Sequence, residues 1–513
     1  MIAGRILLLA SALLVIPEDG GAADAYKPQL RIETQVSFTT NLVHWVDNLA
    51  GSSIGKTLPV YQRYWQERFG PPDAEDRRLL DNFARIRLLR LLAPERRVGN
   101  ERGCLPIVTD GIGWQQTFLS EAMAAQSIAD LRRRLRPHLD ESDLDGITST
   151  LEHFKPRFEK VWKDLGHVRR FDGRFRRFMA EGRLPAYLDS LAMFFGVDPA
   201  TTPPMQISFI GLPANGPTHA EADGDRLLIE IRPSDTPVEQ IQVVAHEASH
   251  FLMRRMSNAQ IDKLAGQIYA QSEAGPLVWR YMWEGLPTAL GQGLAQARLA
   301  PMSISRSKRW YHTDSIDKFA RLIFPAVETA MGQSQRIEDG LMPVITGQIQ
   351  RSELMKESRA SEFLMTAFYA SGDGMSDAME LMRRRLGLGW DVASAVFDLA
   401  DVRAKDLLER YACLGGVALL SSNELEAAAA LGGEPLLTPQ TIQEIRAQNS
   451  LGHGVIATGR RAGGGTVYFL VAPERSSATR LTEGFTHLRG LPERIVVLSP
   501  ASGGTISSPP PSQ

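Results

Sequence analysis

Two histidines stand four residues apart in the segment His246-Glu247-Ala248-Ser249-His250, with a carboxylate beside the first. On a helix, residues four apart share a face and their β-carbons lie about 5–6 Å apart. Two imidazole nitrogens so placed can both reach one tetrahedral zinc, at about 2.0–2.1 Å each. Glu247 points toward the same cavity but beside the metal, where it can take a proton from a water that the metal holds. The chemistry implied is hydrolysis. A chain with ten histidines in 513 residues carries this pattern by chance on the order of once in a hundred such sequences. The flanks strengthen the reading. Val243-Val244-Ala245 precede the motif, Phe251-Leu252 follow it, and Ala248 and Ser249 inside it are small and uncharged, as suits a helix whose other faces are buried.

Such a helix must start and be held. Thr236 can cap it, Pro237 takes the first helical position, and Glu239 lies three residues after Thr236. This capping-box pattern satisfies backbone donors that are otherwise orphaned at a helix start. It predicts a helix over 237–256 with the motif in its middle. Residues 206–210 and 226–231 before it are rich in β-formers and read as strands, separated by the turn residues Pro213-Ala214-Asn215-Gly216. The second of these is expected to be an edge strand beside the helix, where an extended substrate could pair in β fashion.

Over residues 226–290 the chain resembles the zincin metallopeptidases, and the residues after the motif sort the branches of that clan. The metzincin branch carries Gly and His where this chain has Met253 and Met256, so that branch is excluded. The gluzincin branch takes its third ligand from a Glu on a following helix. The run Tyr281-Met282-Trp283-Glu284-Gly285-Leu286-Pro287-Thr288-Ala289-Leu290 resembles its Glu-Gly followed by small and apolar residues. The resemblance therefore implies one zinc per chain held by His246, His250 and Glu284, with Glu247 as general base. Since proline is tolerated in a first turn, Pro287 suggests that the ligand helix starts near Glu284. Thr288 stands where relatives often place a residue that supports a zinc histidine.

An oxyanion donor is also expected. Phe368-Tyr369-Ala370-Ser371-Gly372 resembles the Tyr-x-x-Gly element of gluzincin aminopeptidases, which makes Tyr369 the expected donor. Tyr311 and His312, in Trp310-Tyr311-His312-Thr313, form a second candidate. The Gly-x-Met-Glu-Asn motif of those aminopeptidases is not present, so nothing selects an aminopeptidase. His44, His138, His153, His167, His219, His453 and His487 stand without a partner at ligand spacing.

The elements around this centre read as an α+β chain, predominantly α. Its zincin-like core, a small sheet packed on the motif helix, is flanked by helical regions and followed by a small C-terminal α/β unit. The expected divisions are a signal peptide over 1–25, a mostly helical region over 26–200 and the catalytic core over 201–300. A helical part of the catalytic unit follows over 301–435, then an α/β appendage over 436–500 and a disordered tail over 501–513. The signal reading rests on Arg5, the apolar run over 6–16, Pro17 and Ala23-Asp24-Ala25. That run is well short of the roughly 20 residues that span a bilayer. An exported protein, periplasmic or secreted, without a transmembrane segment after cleavage is the expectation.

With 57 Lys+Arg against 59 Asp+Glu the formal net charge is -2, which offers no general attraction to nucleic acid or an anionic membrane. The basic clusters at Arg132-Arg133-Arg134 and over 169–177 read as solvated helix faces. Cys104 and Cys413 are distant in sequence, and nothing local brings them together. The expected partner is a peptide or protein substrate. Two other readings use the same residues: a zinc hydrolase of a non-peptide amide or ester, and a non-catalytic exported binding or scaffold protein with structural zinc. The latter needs a fourth ligand, and none is visible at short spacing.

Overall fold

The structure is a computed structural model. It describes residues 28–51, 59–88, 114–269, 274–301, 309–355, 366–372, 374–375, 377–379, 382, 393–398, 415–429, 435–460, 466–487 and 496–498. The signal segment 1–25, Cys104, Cys413 and the tail 501–513 lie outside the described residues. The protein is α+β and mostly helical. No helix among the described residues is long and apolar enough to cross a membrane.

The first half is built from helices α1 (Phe38–Ala50), α2 (Pro59–Phe69), α3 (Ala74–Leu88), α4 (Trp114–Ala124), α5 (Ile128–Leu135), α6 (Glu141–Asp164), α7 (Gly166–Ala180) and α8 (Arg183–Phe194). Their pattern is amphipathic. Leu144, Ile147, Leu151, Phe154, Phe158 and Val161 of α6 recur every three or four residues and are fully buried, which drives that face into the core. The basic clusters on the outer faces meet acidic neighbours and aromatic rings: Arg132 pairs with Glu141 and Asp145, and the Arg169 guanidinium lies over Trp162.

These helices share one continuous core with a four-stranded sheet. The strands are β1 (Ile32–Gln35), β2 (Met205–Gly211), β3 (Ala220–Asp223) and β4 (Arg226–Ile231), in the order β1-β2-β4-β3. β1, β2 and β4 run parallel, and β3 folds back antiparallel on β4 through a turn in which Gly224 supplies φ 60°. Both predicted strands form, but the expected edge does not. Arg226–Ile231 is interior, and the edge beside it is β3. The Ala-Glu-Ala-Asp run of β3 has no β-branched or aromatic residue and so lacks a strand signal; pairing with β4 makes it a strand.

Helix α9 (Pro237–Met253) carries the motif. Its Thr236 hydroxyl accepts from the Glu239 amide, and the Glu239 carboxylate accepts from the Thr236 amide at 2.9 Å. It ends at Met253, a turn before Met256, and packs on the sheet face that bears Leu227, Ile229 and Ile231. On the opposite face the buried Glu230 carboxylate accepts from the Tyr61 hydroxyl at 2.5 Å and lies 2.7 Å from His44 Nε2. It also accepts from the His219 amide. This group ties α1 and α2 to the sheet, so His44 is a hydrogen-bonded core residue.

After α9 come α10 (Asn258–Tyr269), α11 (Gly275–Thr288), a π-helical segment (Ala289–Ala295), α12 (Gln296–Leu299), α13 (Asp314–Gly332) and α14 (Leu341–Gln350). The expected helical run to 435 stops earlier. Strands β5 (Thr366–Ser371), β6 (Ala393–Asp398) and β7 (Gly415–Ser421) join β8 (Gly454–Arg460), β9 (Thr466–Ala472) and β10 (Val496–Leu498) in a second sheet, ordered β10-β8-β9-β7-β5-β6. β5, β6, β7 and β9 are mutually parallel. Helices α15 (Leu425–Ala429) and α16 (Pro439–Ser450) cover one face, and α17 (Ala478–His487) covers the other. The α/β unit therefore begins near Thr366. Alanine, a strong helix former, recurs in β5, β6 and β7, and only non-local pairing overrides it.

Candidate metal centre

In the middle of α9 the motif brings its two imidazoles together, with His246 Nε2 and His250 Nε2 3.1 Å apart. Glu284, on α11, places Oε2 at 3.6 Å from His246 Nε2 and 3.4 Å from His250 Nε2. Tetrahedral zinc with bonds of about 2.0–2.1 Å sets its ligand atoms about 3.3 Å apart. The three observed separations bracket that edge length, and the donor set of two imidazoles and one carboxylate suits zinc. The residues fit the ion. Among the described residues, this is the one His/Cys/Asp/Glu group of metal-binding size, and no fourth such residue joins it. Glu247 is buried beside it on the same helix.

The path of the chain to Glu284 differs from expectation. The ligand helix does not start there: α11 begins at Gly275, and Pro287 lies inside it. Proline has no N–H to return to the carbonyl four residues earlier, and the helix goes on as the wider π-helical turn of Ala289–Ala295, an insertion found often at functional sites. Glycine makes this turn possible. A β-carbon on Gly291 would lie 2.5 Å from Gln242 O and 2.8 Å from His246 N, which are backbone atoms. One on Gly293 would lie 2.8 Å from the Phe324 ring and 3.1 Å from Trp310. Bare backbone at these two positions lets the π segment lie directly on α9 and lets Trp310 lie on the π segment.

Thr288 does not support a histidine. Its hydroxyl donates to the Glu284 carbonyl at 2.7 Å, one turn back on its own helix. Gln292 has the supporting position, with Oε1 3.2 Å from His246 Nδ1. An amide oxygen only accepts, so Nδ1 carries the proton and Nε2 is left to face the metal position. Sequence spacing misses Gln292 because the π turn alters which residue faces α9; the Gly291-Gln292-Gly293 run after an internal proline is the signal that could have found it.

The oxyanion candidates separate. Tyr311 reaches the centre: its hydroxyl donates to Glu284 Oε2 at 3.3 Å, and its ring stacks on His246 with centroids 6.2 Å apart. His312 is exposed and stacks on Tyr311. Tyr369 belongs to β5 of the second sheet, paired with Val396 of β6 and Val417 of β7.

Electrostatics favour a cation here. Burial pushes the His246 imidazole down, but Glu284 and Glu247 outweigh it and raise its pKa to about 9. Burial likewise pushes the Glu284 carboxyl up, and His250 and His246 overcome this to hold it well below the usual carboxylate range. In the metal-free state, a proton on His246 thus supplies positive charge beside the Glu284 carboxylate.

Comparison with protein-family models, with curated proteins and with solved structures finds no match for this chain.

Proposed function

We propose that this protein is a zinc-dependent peptidase of the gluzincin kind, with one zinc held by His246, His250 and Glu284. The observation that carries the reading is the open three-donor centre: three ligand atoms at tetrahedral-edge separations, with Glu247 buried beside them and no fourth protein ligand among the described residues. A structural zinc site is closed by four protein ligands, whereas a catalytic one keeps a position open. Zinc in this place would polarise a substrate carbonyl and acidify a water.

The chain's own groups then have separate tasks. Glu247 takes the proton of the attacking water and delivers it to the leaving amine. Tyr311 donates its hydroxyl proton to the oxygen on which charge develops. Gln292 holds the His246 ring by Nδ1.

A peptide substrate is favoured by β3, beyond which no further strand pairs among the described residues. Glu230 N donates to His219 O at 3.1 Å, so the alternation of an antiparallel pair turns the backbone groups of Ala220 and Ala222 outward. Arg254 already donates to Ala222 O, which leaves Ala220 as the pairing position for an extended main chain. The leader-like segment at 1–25 supports an exported enzyme.

The test is cleavage of a peptide library by the zinc-loaded chain and by Glu247→Gln at matched zinc content. The reading expects cleavage by the native chain and a loss of roughly 10²–10⁴-fold in the variant. Equal rates, or no cleavage by the zinc-loaded native chain, contradict it.

A further inference from the structure

Tyr311 lies in a bend between α12 and α13, outside any helix or strand, so its place at the centre needs an anchor. Asp317, in the first turn of α13, provides one. Its Oδ1 accepts the backbone amide protons of both Trp310, at 2.5 Å, and Tyr311, at 3.1 Å. Its Oδ2 accepts from Arg321 Nε at 2.9 Å. The Arg321 guanidinium lies 4.5 Å from the centre of the Trp310 ring, and that ring meets Phe324 edge-on at 5.4 Å. Trp310 and Phe324 also close over Gly293 of the π segment. Burial pushes the Asp317 carboxyl up, but Arg321 and the two amides overcome this and hold it below its ordinary pKa, so the acceptor is charged at neutral pH. Charge-assisted bonds of this sort are roughly twice as strong as neutral ones.

We propose that Asp317 is a positioning residue for the hydrolysis, fixing the backbone at Trp310–Tyr311 so that the Tyr311 hydroxyl stays at the rim of the His246–His250–Glu284 centre. The inference rests on the hydrolytic reading above and goes beyond it. Asp317 touches none of the reacting groups; its effect passes through Tyr311. Misplacement of a reacting or donating group by about 1 Å can cost 10²-fold in rate, so releasing two amides from one carboxylate should be visible in turnover.

The experiment places Asp317→Ala and Asp317→Asn in the native chain and in a Tyr311→Phe background. It reads kcat and KM on a cleaved peptide, zinc content, and amide hydrogen exchange at Trp310 and Tyr311. The expected result for Asp317→Ala is a kcat lowered by roughly 10²-fold, KM and zinc content nearly unchanged, and faster exchange at both amides. Asp317→Asn keeps one acceptor oxygen and should recover part of the loss. In the Tyr311→Phe background neither substitution should lower kcat further, because the group they position is gone. Should Asp317→Ala fail to load zinc, Asp317→Asn in the same two backgrounds decides the matter. Equal losses in both backgrounds, or unchanged exchange at the two amides, overturn the role of Asp317 and leave the hydrolytic reading intact. Absence of any hydrolysis by the native zinc-loaded chain overturns both.

Discussion

His246 uses both of its ring nitrogens, Nδ1 on Gln292 and Nε2 toward His250 and Glu284. Partners that orient a ligand histidine typically contribute 10–100-fold to metal affinity or activity. Gln292→Ala should therefore weaken zinc binding by about that factor, read by competition with a chromogenic chelator, while the helix content of the protein is kept. Unchanged affinity would mean that the ring is oriented by packing on Tyr311 alone. At this scale the sequence was most legible where proximity depends on local spacing: His246 and His250 meet across one helical turn, and Glu284, picked from a short run resembling a ligand helix, lies beside them. It was least legible where proximity depends on the path of the chain: Gln292 and Tyr311 reach the centre across a π turn and an irregular bend.

The elements show the same division. α9 could be read to within a turn because its start is written in Thr236, Pro237 and Glu239. The π segment could not, since its geometry is set by Pro287 behind it and by contact with α9 in front. Gly291 is the residue on which that contact turns. A β-carbon there would approach Gln242 O and His246 N to 2.5 Å and 2.8 Å, and backbone atoms have little freedom to move aside. Gly291→Ala should destabilise the fold by about 1–3 kcal/mol and, by pushing the π segment off His246, lower zinc affinity together with stability. Denaturant unfolding with and without zinc measures both. A variant as stable and as tightly zinc-bound as the native chain would show that the contact is not tight. β3 and β5–β7 were missed for a related reason: their small residues acquire strand character only from partners far along the chain.

Among the described residues, the N-terminal helices, the first sheet and the helices α9 and α11 share one core, while the second sheet has cores of its own. Polar links between helices distant in sequence tie this core together. Asp76 of α3 is such a link: its carboxylate accepts from Arg157 Nη1 at 2.7 Å and lies 2.7 Å from His153 Nε2, both on α6. Hydrogen bonding to Arg157 above all lowers its pKa from 3.8 to about 2. A depressed folded-state pKa contributes stability that is present above the unfolded value and lost as pH falls through the folded one. Asp76→Asn should cost about 2 kcal/mol at neutral pH, with the gap from the native chain closing as pH falls from 3.8 through about 2. Urea midpoints across that range check it; a gap independent of pH would assign the loss to packing.

X-ray absorption at the zinc edge of the loaded protein is the sharpest test of the proposed open zinc centre. One zinc per chain is expected, with two imidazole nitrogens at about 2.0–2.1 Å and a carboxylate oxygen at about 2.0–2.2 Å. One further light scatterer should be exchangeable, and the carboxylate should be lost in Glu284→Ala. A fourth protein ligand, an unchanged spectrum in Glu284→Ala, or a chain that retains no zinc would contradict it.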